Sequence, residues 1–313
     1  KRAVHVRPYE LLHSEDVHVG DGMSPPYEGP SGRYCARVGQ NKGKGMSRET
    51  GLNTRGFALV TGASSGIGLE YARQLASMGY DLLAVSNQKE QLEACVCAIE
   101  KEFGIKAVPL CLDLAVADAA ERLFSYCIEN GITVDILINN AGVFIFNDIV
   151  DTSPQRLETM MVLHMNTVTM LCRLFGSGMK NRGRGYILNM SSLSAWMPVP
   201  GIALYGATKA YIRNFSRAMH HEMKPFGVGV TAVCPGGVST GLYGLAPRYQ
   251  RLGVRLGVLC TPERLVKKAL RAMFARREII VPGLMNKLFV PVMAVMPGFL
   301  IRALKNRLSE YEH

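Results

Sequence analysis

Residues 57–68 read Phe57-Ala58-Leu59-Val60-Thr61-Gly62-Ala63-Ser64-Ser65-Gly66-Ile67-Gly68, and the chain continues as Leu69-Glu70-Tyr71-Ala72-Arg73-Gln74-Leu75-Ala76. A short apolar run, closed by a glycine-rich turn and followed by apolar residues at helical spacing, reads as strand, turn, helix. Gly62 permits a tight turn, while Gly66 and Gly68 let the backbone approach a pyrophosphate and let the helix pack on its strand. The start of the helix offers amide donors and a partial positive charge to phosphates. Gly62, Ser64, Ser65, Gly66, Ile67 and Gly68 are therefore candidates for holding a dinucleotide.

Outward from this turn, short apolar runs alternate with segments of helical period. Strands are expected at 57–61, 81–86, 106–112, 134–139, 185–190, 228–234 and 279–281. Helices are expected at 67–78, 88–103, 116–130, 154–179, 203–224 and 262–275. Apolar strands separated by crossover helices predict an α/β fold: one doubly wound, seven-stranded parallel sheet of Rossmann type, with helices on both faces. A single domain is expected over 56–282. Residues 1–55 are dense in Gly, Pro, Ser and charge, and read as disordered or extraneous to the fold. No apolar run follows their basic start, so a secretory signal is not expected in them. A hydrophobic and basic helical tail is expected over 283–313.

The spacing Thr61-Gly62-x-x-x-Gly66-x-Gly68 resembles that of the short-chain dehydrogenase/reductase family, and the likeness continues along the chain. Asp113-Leu114 follows the third strand, where the resemblance implies contact with an adenine, and Asn139-Asn140-Ala141-Gly142 ends the fourth. From that run Asn139, Ala141 and Gly142 are expected at the cofactor. Pro235, Gly236, Val238 and Thr240, after the sixth strand, resemble the family's nicotinamide-side turn. At the end of the second strand a carboxylate would bond the ribose 2′-hydroxyl and repel a 2′-phosphate, but the residues are Ser86-Asn87-Gln88-Lys89. With Asn87 in place of an acid, NADP(H) is favoured over NAD(H). Relatives that use NADP usually carry Arg where this chain has Asn87, and Lys89 either supplies the missing charge or is a solvated helix residue.

Tyr205 and Lys209 are four residues apart, on one face of a helix. A phenol with a pKa of about 10 is a poor base at neutral pH, but an adjacent ammonium favours the phenolate, which tunes the group for acid/base work. In the reductive direction Tyr205 would give a proton to a carbonyl oxygen as hydride arrives, and Ser192 would hold that oxygen. Tyr205 and Lys209 are also expected at the cofactor. Ser192 stands at the family's spacing from Tyr205, although Ser191 and Ser194 are close neighbours. Asn166, within His164-Met165-Asn166-Thr167, resembles the family's fourth catalytic residue, which helps hold a water by the lysine; its alternative is a polar residue satisfying backbone groups.

The chain of 313 residues is 48% hydrophobic and carries a formal net charge of +11. The excess lies in the C-terminal quarter, where thirteen basic residues from Arg248 onward face four acids. With no zinc-finger spacing or RNA-binding aromatic signature, nucleic acid is not expected as a partner. Eight cysteines without a CxxC pair argue for reduced thiols, and no metal site is expected. The expected compartment is cytoplasmic, with membrane association through the tail.

Leu193, Trp196, Met197, Val199 and Pro200 before Tyr205, and Leu242, Tyr243, Leu245 and Tyr249 in a long loop, suit a hydrophobic ketone or alcohol such as an acyl, sphingoid or steroid-like compound. The apolar tail segment 288–301 is too short to span a bilayer and is broken by Pro291 and Pro297. It is suited to a membrane interface, a pocket cover or a dimer contact. The tail and the Ser191–Trp196 segment resemble the branch with 17β-hydroxysteroid dehydrogenases and long-chain 3-oxoacyl-CoA reductases, and the family implies a homodimer or homotetramer. Two alternatives stay open: a 3-oxoacyl-[acyl-carrier-protein] reductase, and a dinucleotide-binding sensor without turnover.

Overall fold

A computed structural model describes residues 56–239, 259–283, 286–288, 290, 291, 295, 297, 298 and 301. Seven parallel strands form one sheet: β1 (Phe57–Thr61), β2 (Asp81–Ser86), β3 (Ala107–Cys111), β4 (Val134–Asn139), β5 (Gly185–Met190), β6 (Val228–Val233) and β7 (Ile279–Ile280). Their spatial order is β3-β2-β1-β4-β5-β6-β7. The helices are α1 (Gly66–Ser77), α2 (Lys89–Phe103), α3 (Ala119–Glu129), α4 (Pro154–Met161), α5 (Thr167–Arg182), α6 (Ala203–Met223) and α7 (Pro262–Phe274). The fold is the expected α/β sheet, with most boundaries within two residues of the sequence reading. The expectations for residues 1–55, Thr240, Leu242, Tyr243, Leu245, Tyr249 and most of the tail lie outside the described residues.

Successive strand residues serve opposite faces, as the pleat requires. Ala58 and Val60 pack with Leu82, Tyr71, Leu75, Leu92, Leu265 and Leu270 on the face covered by α1, α2 and α7. Leu59 packs with Leu83, Val85, Leu123, Leu137, Leu171 and Phe175 on the face covered by α3, α5 and α6. Both faces are dry, which is why β2 and β6 are buried at every position. Each fully buried leucine adds about 2 kcal/mol of hydrophobic stabilisation.

The single helix expected at 154–179 is divided. α4 and α5 are joined by a π turn at Val162–Asn166, whose extra residue offsets the helical register. A one-turn 3-10 helix at Leu193–Trp196 follows β5; Ser192 caps it, its Oγ accepting from the Ser194 amide at 3.2 Å.

After β3 the chain crosses back to the other side of β1, so β1 and β4 are neighbours from which the winding departs in opposite directions. A crevice opens at the carboxyl ends of strands at such a switch point. Among the described residues, no helix is long and apolar enough to cross a membrane.

Candidate active site

A cavity of about 560 Å3 occupies this switch point. Its lining joins the Gly62–Ile67 turn to Asn87, Asp113, Leu114, Ala141, Gly142, Ser192, Tyr205, Lys209, Pro235 and Val238. Sequence-distant candidates thus converge on one wall because each lies at the carboxyl end of a parallel strand or the start of the helix after it.

The glycine turn is held by β4. Thr61 Oγ1 accepts from the amides of Asn140 and Ala141, at 2.9 and 3.0 Å. Asn140 Nδ2 donates to the Thr61 carbonyl at 3.0 Å. A Cβ built on Gly68 would stand 2.0 Å from the Gly62 carbonyl oxygen, and one on Gly62 would stand 3.0 Å from Asn140 Nδ2. Gly62 and Gly66 have φ of 67° and 56°, in the left-handed region. The first amides of α1 have no partner inside the helix. This cradle of bare backbone at a helix N-terminus fits a pyrophosphate; Gly68 itself holds the turn and does not line the cavity.

At the end of β2, the Ser64 and Ser86 hydroxyls are 2.9 Å apart, and the Gln88 amide donates to Ser86 Oγ at 3.2 Å. Asn87, Gln88 and Lys89 are exposed. Asp113 accepts from the Ala115 amide at 3.0 Å, which fixes the turn after β3.

The Tyr205 end of the cavity is closely packed. Tyr205, Lys209 and Ser192 are 6%, 5% and 8% exposed. Lys209 Nζ donates to the Met190 carbonyl at 2.9 Å and stands 5.6 Å from the centre of the Tyr205 ring. Burial pushes the Lys209 ammonium down to about 8. The neighbouring Ser191 hydroxyl donates to the Lys209 carbonyl at 2.7 Å. The Leu193 amide donates to the Pro235 carbonyl at 2.8 Å, tying the serine loop to the turn after β6.

Besides Gly68, the expected site residues Asn139, Asn166 and Gly236 stand away from the cavity. Asn139 does not reach the cavity: it is buried, and its Nδ2 donates to Asn189 Oδ1 at 2.7 Å. Its neighbour Asn140, where the chain leaves the strand, lines the cavity instead. Asn166 is exposed, with Nδ2 3.3 Å from the Ala117 carbonyl, because the π turn carries it off the inner face. His164 is the polar residue of that segment turned inward, fully buried and beside the Gly142 backbone. Gly236 does not line the cavity and packs against Asn286. The hydroxyl pair Ser64 and Ser86 left no signal in sequence, since it is made by packing two strand ends. His164 was visible as a residue beside the family-like asparagine, but its orientation depends on the π turn.

A family model described as short chain dehydrogenase matches residues 56–247. The very-long-chain 3-oxoacyl-CoA reductase of Anas platyrhynchos is 34% identical over 193 residues, covering 59% of this chain and 60% of the relative. The 17-beta-hydroxysteroid dehydrogenase type 3 of Danio rerio is 31% identical over 195 residues, covering 60% and 62%. The match thus spans about three fifths of the length of these relatives. Among solved structures, a short-chain dehydrogenase from Sphingobium yanoikuyae in complex with NADPH superposes with a TM-score of 0.66 at 28% identity, covering 78% of this chain and 97% of that one. A bulky-bulky ketone specific alcohol dehydrogenase from Comamonas testosteroni gives 0.65 at 25% identity, with 78% and 95% covered. Matching motifs, sheet order and relatives agree that this chain is a member of the short-chain dehydrogenase family.

Proposed function

We propose that the chain is an NAD(P)(H)-dependent oxidoreductase that interconverts a ketone and a secondary alcohol on a hydrophobic substrate, with NADP(H) as the favoured cofactor. The observation that carries this reading is that Tyr205, Lys209 and Ser192 line the same cavity as the glycine cradle of α1.

A bound nicotinamide dinucleotide supplies or accepts the hydride. The cradle at Gly62–Ile67 would hold its pyrophosphate, with Asp113 and Leu114 toward the adenine, and Ala141, Gly142, Pro235 and Val238 toward the nicotinamide end. Tyr205 then gives a proton to the carbonyl oxygen in reduction, or takes one from the alcohol in oxidation. Ser192 Oγ donates a hydrogen bond to the same oxygen, where charge builds in the transition state. The ammonium of Lys209, buried beside the ring, stabilises the phenolate that remains. No carboxylate lines the cavity at the end of β2, which leaves room for a 2′-phosphate.

Apolar side chains gather at the reacting end. Phe144 stands edge-on to Tyr205 with ring centres 5.0 Å apart, and Leu163 lines the cavity. These surfaces, with the names of the relatives, support an acyl thioester or steroid-like ketone as substrate. Leu288 and Val295 in the tail are 62% and 77% exposed, which favours a peripheral membrane contact or a dimer contact over a pocket cover for these two side chains. The test is oxidation of NADPH by long-chain 3-oxoacyl thioesters and steroid ketones, followed at the nicotinamide absorbance. Turnover of one class supports the reading, and its absence across the panel contradicts it.

A further inference from the structure

His164 is fully buried between α6 and the turn that follows β4, and both of its ring nitrogens are engaged. Nε2 lies 3.1 Å from the Val143 amide, and Nδ1 lies 3.0 Å from Thr208 Oγ1. A backbone amide can only donate, so Nε2 must present its lone pair and Nδ1 must carry the proton. Nδ1–H therefore donates to the Thr208 hydroxyl. That hydroxyl in turn donates to the Tyr205 carbonyl at 2.9 Å. The bonds run in one direction, from the Val143 backbone through imidazole and hydroxyl to the backbone of Tyr205. The imidazole also meets the Tyr205 ring edge-on, with centres 5.9 Å apart. A Cβ placed on Gly142 would touch His164 Nε2 at 3.0 Å and Lys209 Nζ at 3.7 Å, so ring and ammonium flank the same point of backbone.

We propose that His164 is a positioning residue for the reaction: as a neutral Nδ1–H imidazole acting through Thr208, it locks the Ala141–Val143 turn to the first turn of α6 and so fixes Tyr205 and Lys209 against the reacting atoms. The inference rests on the oxidoreductase reading above. Neutrality is required by the geometry, since a second proton on the ring would face the Val143 N–H donor and the Lys209 ammonium. Burial and the Lys209 charge accordingly hold the His164 pKa well below the ordinary imidazole range.

Two measurements test it. The first is histidine 15N NMR of the cofactor-free protein, with the His164 signal identified by its loss in His164→Phe. The expected result is an Nδ1–H tautomer that stays neutral well below the ordinary imidazole range while the protein remains folded. An Nε2–H tautomer, or protonation near the ordinary imidazole pKa, would overturn the proposal. The second is a double-mutant cycle on kcat with His164→Phe and Thr208→Val, with nucleotide affinity measured alongside. Each single variant should lower kcat by about tenfold to a hundredfold while nucleotide binding is kept, and the double variant should be no worse than the poorer single one. Additive losses, or a kcat within about twofold of the parent in His164→Phe, would overturn it. If His164→Phe does not fold, His164→Leu serves for both measurements: it has neither the acceptor toward Val143 nor the donor toward Thr208 and should lose kcat in the same way. A parent protein with no turnover on any ketone would count against the oxidoreductase reading, whereas an active parent with an indifferent His164 counts against this inference alone.

Discussion

The Lys209 ammonium donates to the carbonyl oxygen of Met190, 2.9 Å away, at the end of the strand that delivers Ser192. A buried cation held by a neutral carbonyl is poorly compensated for its lost hydration, which is why its pKa falls to about 8. The same bond links α6 to β5.

Lys209 should leave a mark on stability against pH. Its folded value of about 8 lies below its ordinary 10.5. Between those values the unfolded chain holds a proton that the folded protein has released, so stability rises with pH across that window, by an amount on the order of 3 kcal/mol. Thermal unfolding of the parent and Lys209→Met from pH 7 to 10.5 isolates this contribution. The parent should gain stability relative to the variant as pH rises, and parallel curves would sink the assignment.

Tyr205→Phe removes the hydroxyl and keeps the ring that packs against Phe144 and His164. Turnover should fall by about a hundredfold to ten-thousandfold, with nucleotide affinity close to that of the parent. Retained turnover would mean that another group moves the proton.

Asn87→Asp places a carboxylate at the end of β2, where a 2′-phosphate would sit. NADPH affinity should fall by roughly tenfold more than NADH affinity, through like-charge repulsion. Equal losses in paired fluorescence titrations would remove the account of cofactor choice.

Gly68→Ala drives a methyl group to 2.0 Å from the Gly62 carbonyl oxygen, a clash of backbone against Cβ that no rotamer relieves. It should cost about 3 kcal/mol or more and weaken nucleotide binding. Gly178→Ala provides the contrast. In α5 its new methyl meets only the flexible end of Arg182, at 3.1 Å, so it should stabilise by about 0.5–1 kcal/mol. Denaturant midpoints of the two variants should move in opposite directions.

Much of the site could be read from the chain because its signals are local. The turn at Gly62–Gly68 needs only a strand before it and a helix after it, and Tyr205 and Lys209 share a helix face at any packing. What escaped depended on long-range geometry. Asn139 and Asn140 differ by one position, and the end of β4 decides which is buried against Asn189 and which faces the cavity. Asn166 and His164 exchange places because of a π turn, for which the run Val162–Asn166 gives no sequence sign. The Ser64–Ser86 pair brings together the ends of elements that are adjacent only once the sheet has formed.

The most direct measurement is a titration of the protein with NADPH and with NADH, followed by nicotinamide fluorescence, with long-chain and steroid ketones then added to the tighter complex. The account predicts that NADPH binds more tightly and that one ketone class oxidises it. Failure of both nucleotides to bind would contradict the cofactor site, and with it the assignment of Tyr205 as the proton-transfer group.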